Sequence, residues 1–266
     1  MDQAPRRGRY RVAAAEVRPE GQPAEIRERA TAEHWTAALI WRRYSSHVAA
    51  LAIRLGMSAD AVTALVIAAG LAAAASLLLG SVWGAVLALF FAHAQMLLDA
   101  ADGEVARWRR TASARGVFLD HLAHSVTEAA MPACLGVGLA LANPEHAGRW
   151  AAAGLTLSVL VLINKSVNDA VAVARAAAGL PRLPDTPGAR EPSPGALRTA
   201  RSVARWVPVH RLFHSVEQSH VYLIAFVVGL WVPSALAWTL GTLVVIAPFV
   251  IVGHVVSALN SPRLAS

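Results

Sequence analysis

Three aspartates and a histidine share a 26-residue stretch of an otherwise apolar chain: Asp99, Asp102, Asp120 and His124, in LLDAADGEVARWRRTASARGVFLDHLAH. Asp99 and Asp102 are three positions apart and Asp120 and His124 four, so on helices each pair shares a face. The basic turn 108–115 between them is short, which makes the two helices neighbours and lets the four side chains converge. Ionisable groups at membrane depth cost roughly 2.5–3.5 kcal/mol each on insertion scales. Packed carboxylates also repel one another unless a cation lies between them, and carboxylate oxygens are the ligands that hard divalent ions such as Mg²⁺ prefer. A metal site is the economical explanation. The plainer reading has Asp99 and Asp102 flanking a span and pairing with Arg107 or Arg109. It accounts for any one acid but poorly for three on convergent faces. Gly103 and Gly116 beside them let a bulky ligand approach the backbone.

The elements that hold these residues are membrane spans. The chain of 266 residues is 56% hydrophobic and only 15% charged, too apolar for an ordinary soluble domain. Residues 61–80 contain no charge, enough to cross roughly 30 Å of hydrocarbon. Residues 221–259 lack Asp, Glu, Lys and Arg altogether. One straight helix of that length would run about 58 Å, so it must be two spans broken near the VPS of 232–234. The pattern predicts an all-α integral membrane protein with six transmembrane helices, at about 59–80, 82–107, 116–142, 147–178, 212–231 and 234–259, within a catalytic domain of 56–260. Residues 31–55, which mix Trp35, Leu39, Ile40 and Trp41 with Arg42, Arg43 and Arg54, suit an amphipathic helix at the membrane interface; a solvated linker is the alternative. Residues 1–30 carry seven arginines and no apolar core, so a basic cytoplasmic segment is expected there and not a cleavable leader. The Pro- and Arg-rich stretch 179–208 reads as a cytoplasmic loop, and 261–266 as a tail.

Arginines crowd the N-terminal segment, the 107–115 turn and the 175–211 region, whereas the opposite connections hold only Arg149. By the positive-inside rule both termini and the aspartate cluster face the cytoplasm. The net charge of +7 then reflects inside-facing loops and anionic headgroups, so nucleic acid is not an expected partner. Use of Arg over Lys (only Lys165) and the alanine richness suggest a bacterial source, hence an inner membrane. The single cysteine, Cys134, lies in an apolar span and reads as a small packing residue.

The stretch resembles the signature of the CDP-alcohol phosphatidyltransferases, D-x2-D-G-x2-A-R-x8-G-x3-D-x3-D. Asp99, Asp102, Gly103, Ala106, Arg107, Gly116 and Asp120 fall at the required spacing, which is seven of eight fixed positions. The eighth is His124 where the signature has aspartate. A weaker departure is Ser58-Ala59-Asp60 where relatives often have Thr-Pro-Asn. The resemblance implies a Mg²⁺- or Mn²⁺-dependent transfer in which an acceptor hydroxyl attacks the phosphorus of a CDP-alcohol and CMP leaves. It implies that Asp99, Asp102 and Asp120 hold metal, that Gly103 and Ala106 leave room for cytidine, and that Arg107 contacts the diphosphate. Gly116 belongs to the same nucleotide site; Ser113 would lie near the nucleotide, with Asp60 a contact by position only. The donor would be CDP-diacylglycerol with a small alcohol or sugar phosphate as acceptor, or a soluble CDP-alcohol donating to a lipid alcohol. A homodimer is also implied.

His124 stands where the resembled family keeps its presumed general base. Imidazole titrates near 6.5 in its unperturbed state and aspartate near 3.9, so the ring can accept a proton, can ligate a metal, or can mark an inactive relative. A second cluster, Arg205, His210, Arg211, His214, Glu217 and His220, leads into the fifth expected span. Arg211 and His214 could hold a phosphorylated acceptor, and positive-inside anchoring is the alternative. Lys165, Asn168 and Asp169 form a polar patch in the fourth span. A small transporter would also carry intramembrane charge but has no use for this frame of glycine, arginine and aspartate. An intramembrane prenyltransferase needs a second aspartate-rich motif, and NDAVAVAR at 168–175 lacks its second acid.

Overall fold

The computed structural model describes residues 12–24, 41–181, 209–260 and Leu264. It is all-helical among these residues: α1 (Ala14–Gly21), α2 (Arg42–Arg54), α3 (Ala59–Ser76), α4 (Val82–Arg109), α5 (Ala114–Ala142), α6 (Ala147–Ala177), α7 (Ser215–Gly229) and α8 (Ala235–Leu259). Among the described residues, five helical segments are long and apolar enough to cross a membrane: Ala59–Leu79, Val82–Arg109, Ala114–Ala142, Pro144–Ala177 and Ala235–Leu259. These are consistent with a multi-pass membrane protein. The expected count of six is not reached among the described residues. The segment expected at 212–231 forms α7, a 15-residue helix after a 3₁₀ turn at Val209–Phe213. At 1.5 Å per residue it is about 22 Å long, short of a hydrocarbon core of about 30 Å. The break at 232–234 is present, since α7 ends at Gly229 and α8 starts at Ala235.

Contacts divide the chain into two compact units. The first holds the described residues of Met1–Ala69 and His93–His124. Its core is small: Val12 and Val17 pack with Ala49, Ala50, Ala52 and Ile53 of α2, Val62 of α3, and Ala101 and Val105 of α4. Helix α2 is the described part of the expected interfacial helix; it buries Ser45, Ser46, Ala49 and Ile53 and exposes Tyr44 and Leu51. Trp41 stacks obliquely on His93 at 5.3 Å. Trp35, Leu39 and Ile40 lie outside the described residues. Helix α1 has almost no signal in the sequence, because it is 8 residues long, contains Pro19 and buries only Val17 and Gly21.

Two turns set the directions of α3 and α5. At the end of α2, Gly56 takes φ 75°, the Met57 N–H reaches the Ala52 carbonyl and the Gly56 N–H reaches Ile53, a Schellman stop. Ser58 then caps α3, its Oγ accepting from the Ala61 N–H at 3.1 Å. The end of α4 repeats the pattern with a side chain in the glycine position: Arg110 takes φ 55°, with Thr111 N–H on Ala106 O and Arg110 N–H on Arg107 O. Ser113 caps α5 through the Gly116 N–H at 3.1 Å. This stop and restart within four residues, 110–113, turns the chain from α4 into α5.

In the second unit, Gly70–Ala92 and Ser125–Ser266, α5 and α6 touch backbone to backbone. A Cβ on Gly154 would fall 2.5 Å from the Pro132 carbonyl and 2.7 Å from the Gly136 Cα. Small residues at such crossings are how membrane helices gain close contact. His254 of α8 meets Asn164 of α6 through Nδ1 and Oδ1 at 2.8 Å.

Candidate active site

The turn between α4 and α5 brings three of the four acidic and imidazole groups together. Oxygens of Asp99 and Asp120 and a ring nitrogen of His124 all lie within 4.8 Å of one another. The His124 Nε2 is 3.1 Å from Asp99 Oδ1 and 3.6 Å from Asp120 Oδ1. All three side chains are partly buried. Two carboxylates and an imidazole fit a divalent cation, the carboxylates suiting Mg²⁺ or Mn²⁺ and the nitrogen adding affinity for softer ions.

Asp102 is not in that trio. It faces α3, where Thr63 Oγ1 lies 2.7 Å from its Oδ2 and 3.1 Å from the Ala59 carbonyl. A hydroxyl has one hydrogen, and the shorter, charge-assisted contact to the carboxylate takes it. Thr63 is almost fully buried and fixes the rotation of the Asp102 carboxylate, as second partners of metal-site acids commonly do.

The other signature positions are distributed around these acids within the same unit. Arg107 donates from Nε to the Gly21 carbonyl at 2.7 Å. Its guanidinium lies over Gly103, where a Cβ would stand 3.1 Å from both Nη1 and Nη2. The space expected above Gly103 is therefore bounded by this chain's own arginine. Gly116 is more open, since a Cβ there would meet nothing closer than Ser113 Oγ at 3.7 Å. Ala106 is half-buried, and its carbonyl takes the Thr111 N–H of the turn. The Ser113 oxygen caps α5, which leaves its own O–H as a donor. Asp60 pairs with Arg115 at 3.2 Å near solvent, a contact worth at most about 1 kcal/mol.

Arg211 and His214 belong to the second unit. There His214 Nδ1 lies 3.0 Å from Glu128 Oε1, and Lys165 Nζ lies 3.0 Å from Glu128 Oε2. Gln218 donates to the Glu128 carbonyl at 3.1 Å and accepts from the Tyr222 hydroxyl at 2.8 Å. Glu128 is buried, and sequence reasoning passes over it. Its signal is nevertheless present: it falls four residues after His124, continuing the spacing of Asp120 and His124 into an apolar run. Thr63 likewise lies three residues after Asp60, on a helix with little other polarity.

Among curated proteins none matches this chain. Residues 56–184, which contain every aspartate of the site and the turns that place them, match the family model described as CDP-alcohol phosphatidyltransferase. The family uses a divalent metal, and the Asp99, Asp120 and His124 group could bind one. Over that region the chain is similar to the CDP-alcohol phosphatidyltransferases, a family of enzymes that transfer substituted phosphate groups from CDP-alcohols to alcohol acceptors.

Proposed function

We propose that this protein transfers a phosphatidyl group from CDP-diacylglycerol to the hydroxyl of a small alcohol or sugar phosphate, releasing CMP, in phospholipid biosynthesis at a bacterial inner membrane. The observation that carries the reading is the gathering of Asp99, Asp120 and His124 within 4.8 Å inside the family-matched region. Asp99 and Asp120, with Asp102 beside them, would hold Mg²⁺ or Mn²⁺, with His124 a ligand only in the tautomer that leaves Nε2 unprotonated. When bound, the cation supplies charge neutralisation for the diphosphate and for the departing CMP.

The protein's own groups do the remaining work. Arg107 offers a planar guanidinium suited to two phosphate oxygens. Gly116 leaves the start of α5 open, which supports cytidine packing against its backbone, with the Ser113 hydroxyl as a nearby donor. His124 takes the acceptor's proton as its oxygen bonds to phosphorus and the phosphorus–oxygen bond to CMP breaks. Nε2 faces two carboxylates, so a tautomer with Nε2–H donating to Asp99 leaves Nδ1 as the proton acceptor. An Nε2 lone pair directed to metal would compete with the Nε2–H tautomer. Arg211 and His214 are proposed to attract a phosphorylated acceptor. The site is proposed to face the cytoplasm, with both termini on that side, in a homodimer.

The test is product identification. Purified protein with Mg²⁺ is offered CDP-diacylglycerol and a pool of polar alcohols and sugar phosphates, and lipids are read by mass spectrometry. A new phospholipid that appears with stoichiometric CMP supports the reading. CMP release without a phosphatidyl product, or activity only with soluble CDP-alcohols and lipid acceptors, overturns this choice of donor.

A further inference from the structure

The N-terminal helix makes an unexpected contact with the signature. Arg107 Nε donates to the carbonyl of Gly21, the last residue of α1, at 2.7 Å. The same guanidinium rests over Gly103, so one edge is tethered and one face is supported. We infer that α1 is a built-in clasp of the donor site, in which Gly21, Gln22 and Glu104 are positioning residues that set the Arg107 guanidinium for the diphosphate of a CDP-alcohol. This rests on the reading that Arg107 holds that diphosphate.

The clasp is itself fastened by a buried carboxylate three residues before Arg107. Gln22 Nε2 lies 2.8 Å from Glu104 Oε1 and 2.8 Å from the Arg42 carbonyl, using both of its hydrogens. Ser45 donates its hydroxyl to the same Glu104 oxygen. Gly21 packs directly on the Glu104 stem, where a Cβ would fall 3.0 Å from both Cβ and Cγ. Both Glu104 and Gln22 are buried. A buried carboxylate is costly unless it is hydrogen-bonded, and an apolar contact would dock a short helix without it. Directional bonds fix what apolar contact leaves loose, namely the register of α1 along α4. That register decides where the Gly21 carbonyl stands, and therefore where Arg107 points.

The test uses the full-length protein in detergent, with CDP plus Mg²⁺ as the probe in calorimetric titration and with donor kinetics alongside. Gln22→Ala removes the amide, and Gly21→Ala crowds Glu104 while removing no hydrogen-bonding group. Each should weaken CDP binding about tenfold and raise KM for the donor by a similar factor, leaving KM for the acceptor unchanged. Glu20→Ala, on the exposed side of α1, should change neither. Arg107→Ala should weaken CDP at least as much as either clasp variant. If Arg107→Ala weakens CDP and both clasp variants bind it like wild type, the clasp is refuted and the reading of Arg107 stands. If Arg107→Ala also binds normally, that reading fails and the clasp with it. Should Gln22→Ala fail to fold, Gly21→Ala decides.

Discussion

The Nε2 of His124 stands 3.1 Å from Asp99 on the preceding helix and 3.6 Å from Asp120 one turn earlier on its own. An imidazole thus stands within reach of two carboxylates that also lie close to each other across the turn. A neutral ring there lowers the local negative charge by one relative to a third carboxylate. That relieves repulsion before metal binds and weakens the attraction for a hard cation.

Substitution of His124 separates its two roles. His124→Ala should lose most transfer activity, by about 100-fold or more if the ring is the general base. His124→Asp should keep some activity, with the acid limb of the rate profile moved to lower pH, because carboxylates protonate at lower pH than imidazole. Mn²⁺ affinity, read by electron paramagnetic resonance, should change less than rate if the ring moves protons. It should fall in step with rate if the ring is only a ligand. An alanine variant with unchanged turnover would place the base elsewhere.

Thr63 should matter through Asp102. Thr63→Val keeps shape but removes the hydroxyl 2.7 Å from the carboxylate. The Mg²⁺ concentration for half-maximal rate should rise about 10-fold, in the range typical for partners of metal-site acids. Thr63→Ser should restore it. Equal metal dependence in all three proteins would remove Thr63 from the site.

The acids and their neighbours were readable because charge is rare in apolar helices, so Asp99, Asp102, Asp120 and His124 stand out by type and spacing. The short turn between them was readable too, although its stop uses Arg110 at φ 55°, where pattern alone would look for glycine. What pattern could not supply were contacts between distant segments: Thr63 to Asp102, Gly21 to Arg107, and Glu128 to Lys165. Each joins residues whose pairing depends on tertiary packing. Hydropathy marks 212–231 as apolar but does not show where α7 begins and ends, at Ser215 and Gly229 after the 3₁₀ turn of Val209–Phe213. Arg110→Gly should raise the melting temperature, because relief of left-handed strain is worth about 1 kcal/mol; an unchanged or lower value would show that the turn is not strained.

The buried cluster in the second unit predicts a stability effect. Lys165→Leu leaves Glu128 buried with one fewer cation and should destabilise by about 3 kcal/mol. The double variant Lys165→Leu, Glu128→Leu removes both charges and should be more stable than Lys165→Leu alone. Thermal melts in detergent check the order, and a double variant less stable than the single would contradict it.

The arginine distribution predicts the topology. In a Cys134→Ser background, Arg190→Cys should react with an impermeant thiol reagent only from the cytoplasmic side, and His146→Cys only from the outside. The reversed pattern would put the aspartates on the wrong face of the membrane for a cytosolic CDP-alcohol pathway.

The most direct measurement is CMP release from CDP-diacylglycerol by purified protein, compared with and without Mg²⁺ and with Asp99→Asn and Asp120→Asn. Wild type should release CMP only with the divalent cation and an acceptor alcohol present. Both variants should fold but fall by about 100-fold or more, because each loses a charged ligand while keeping its size. Release that persists under chelation, or asparagine variants within a few-fold of wild type at saturating metal, would contradict a metal-dependent transfer at these carboxylates.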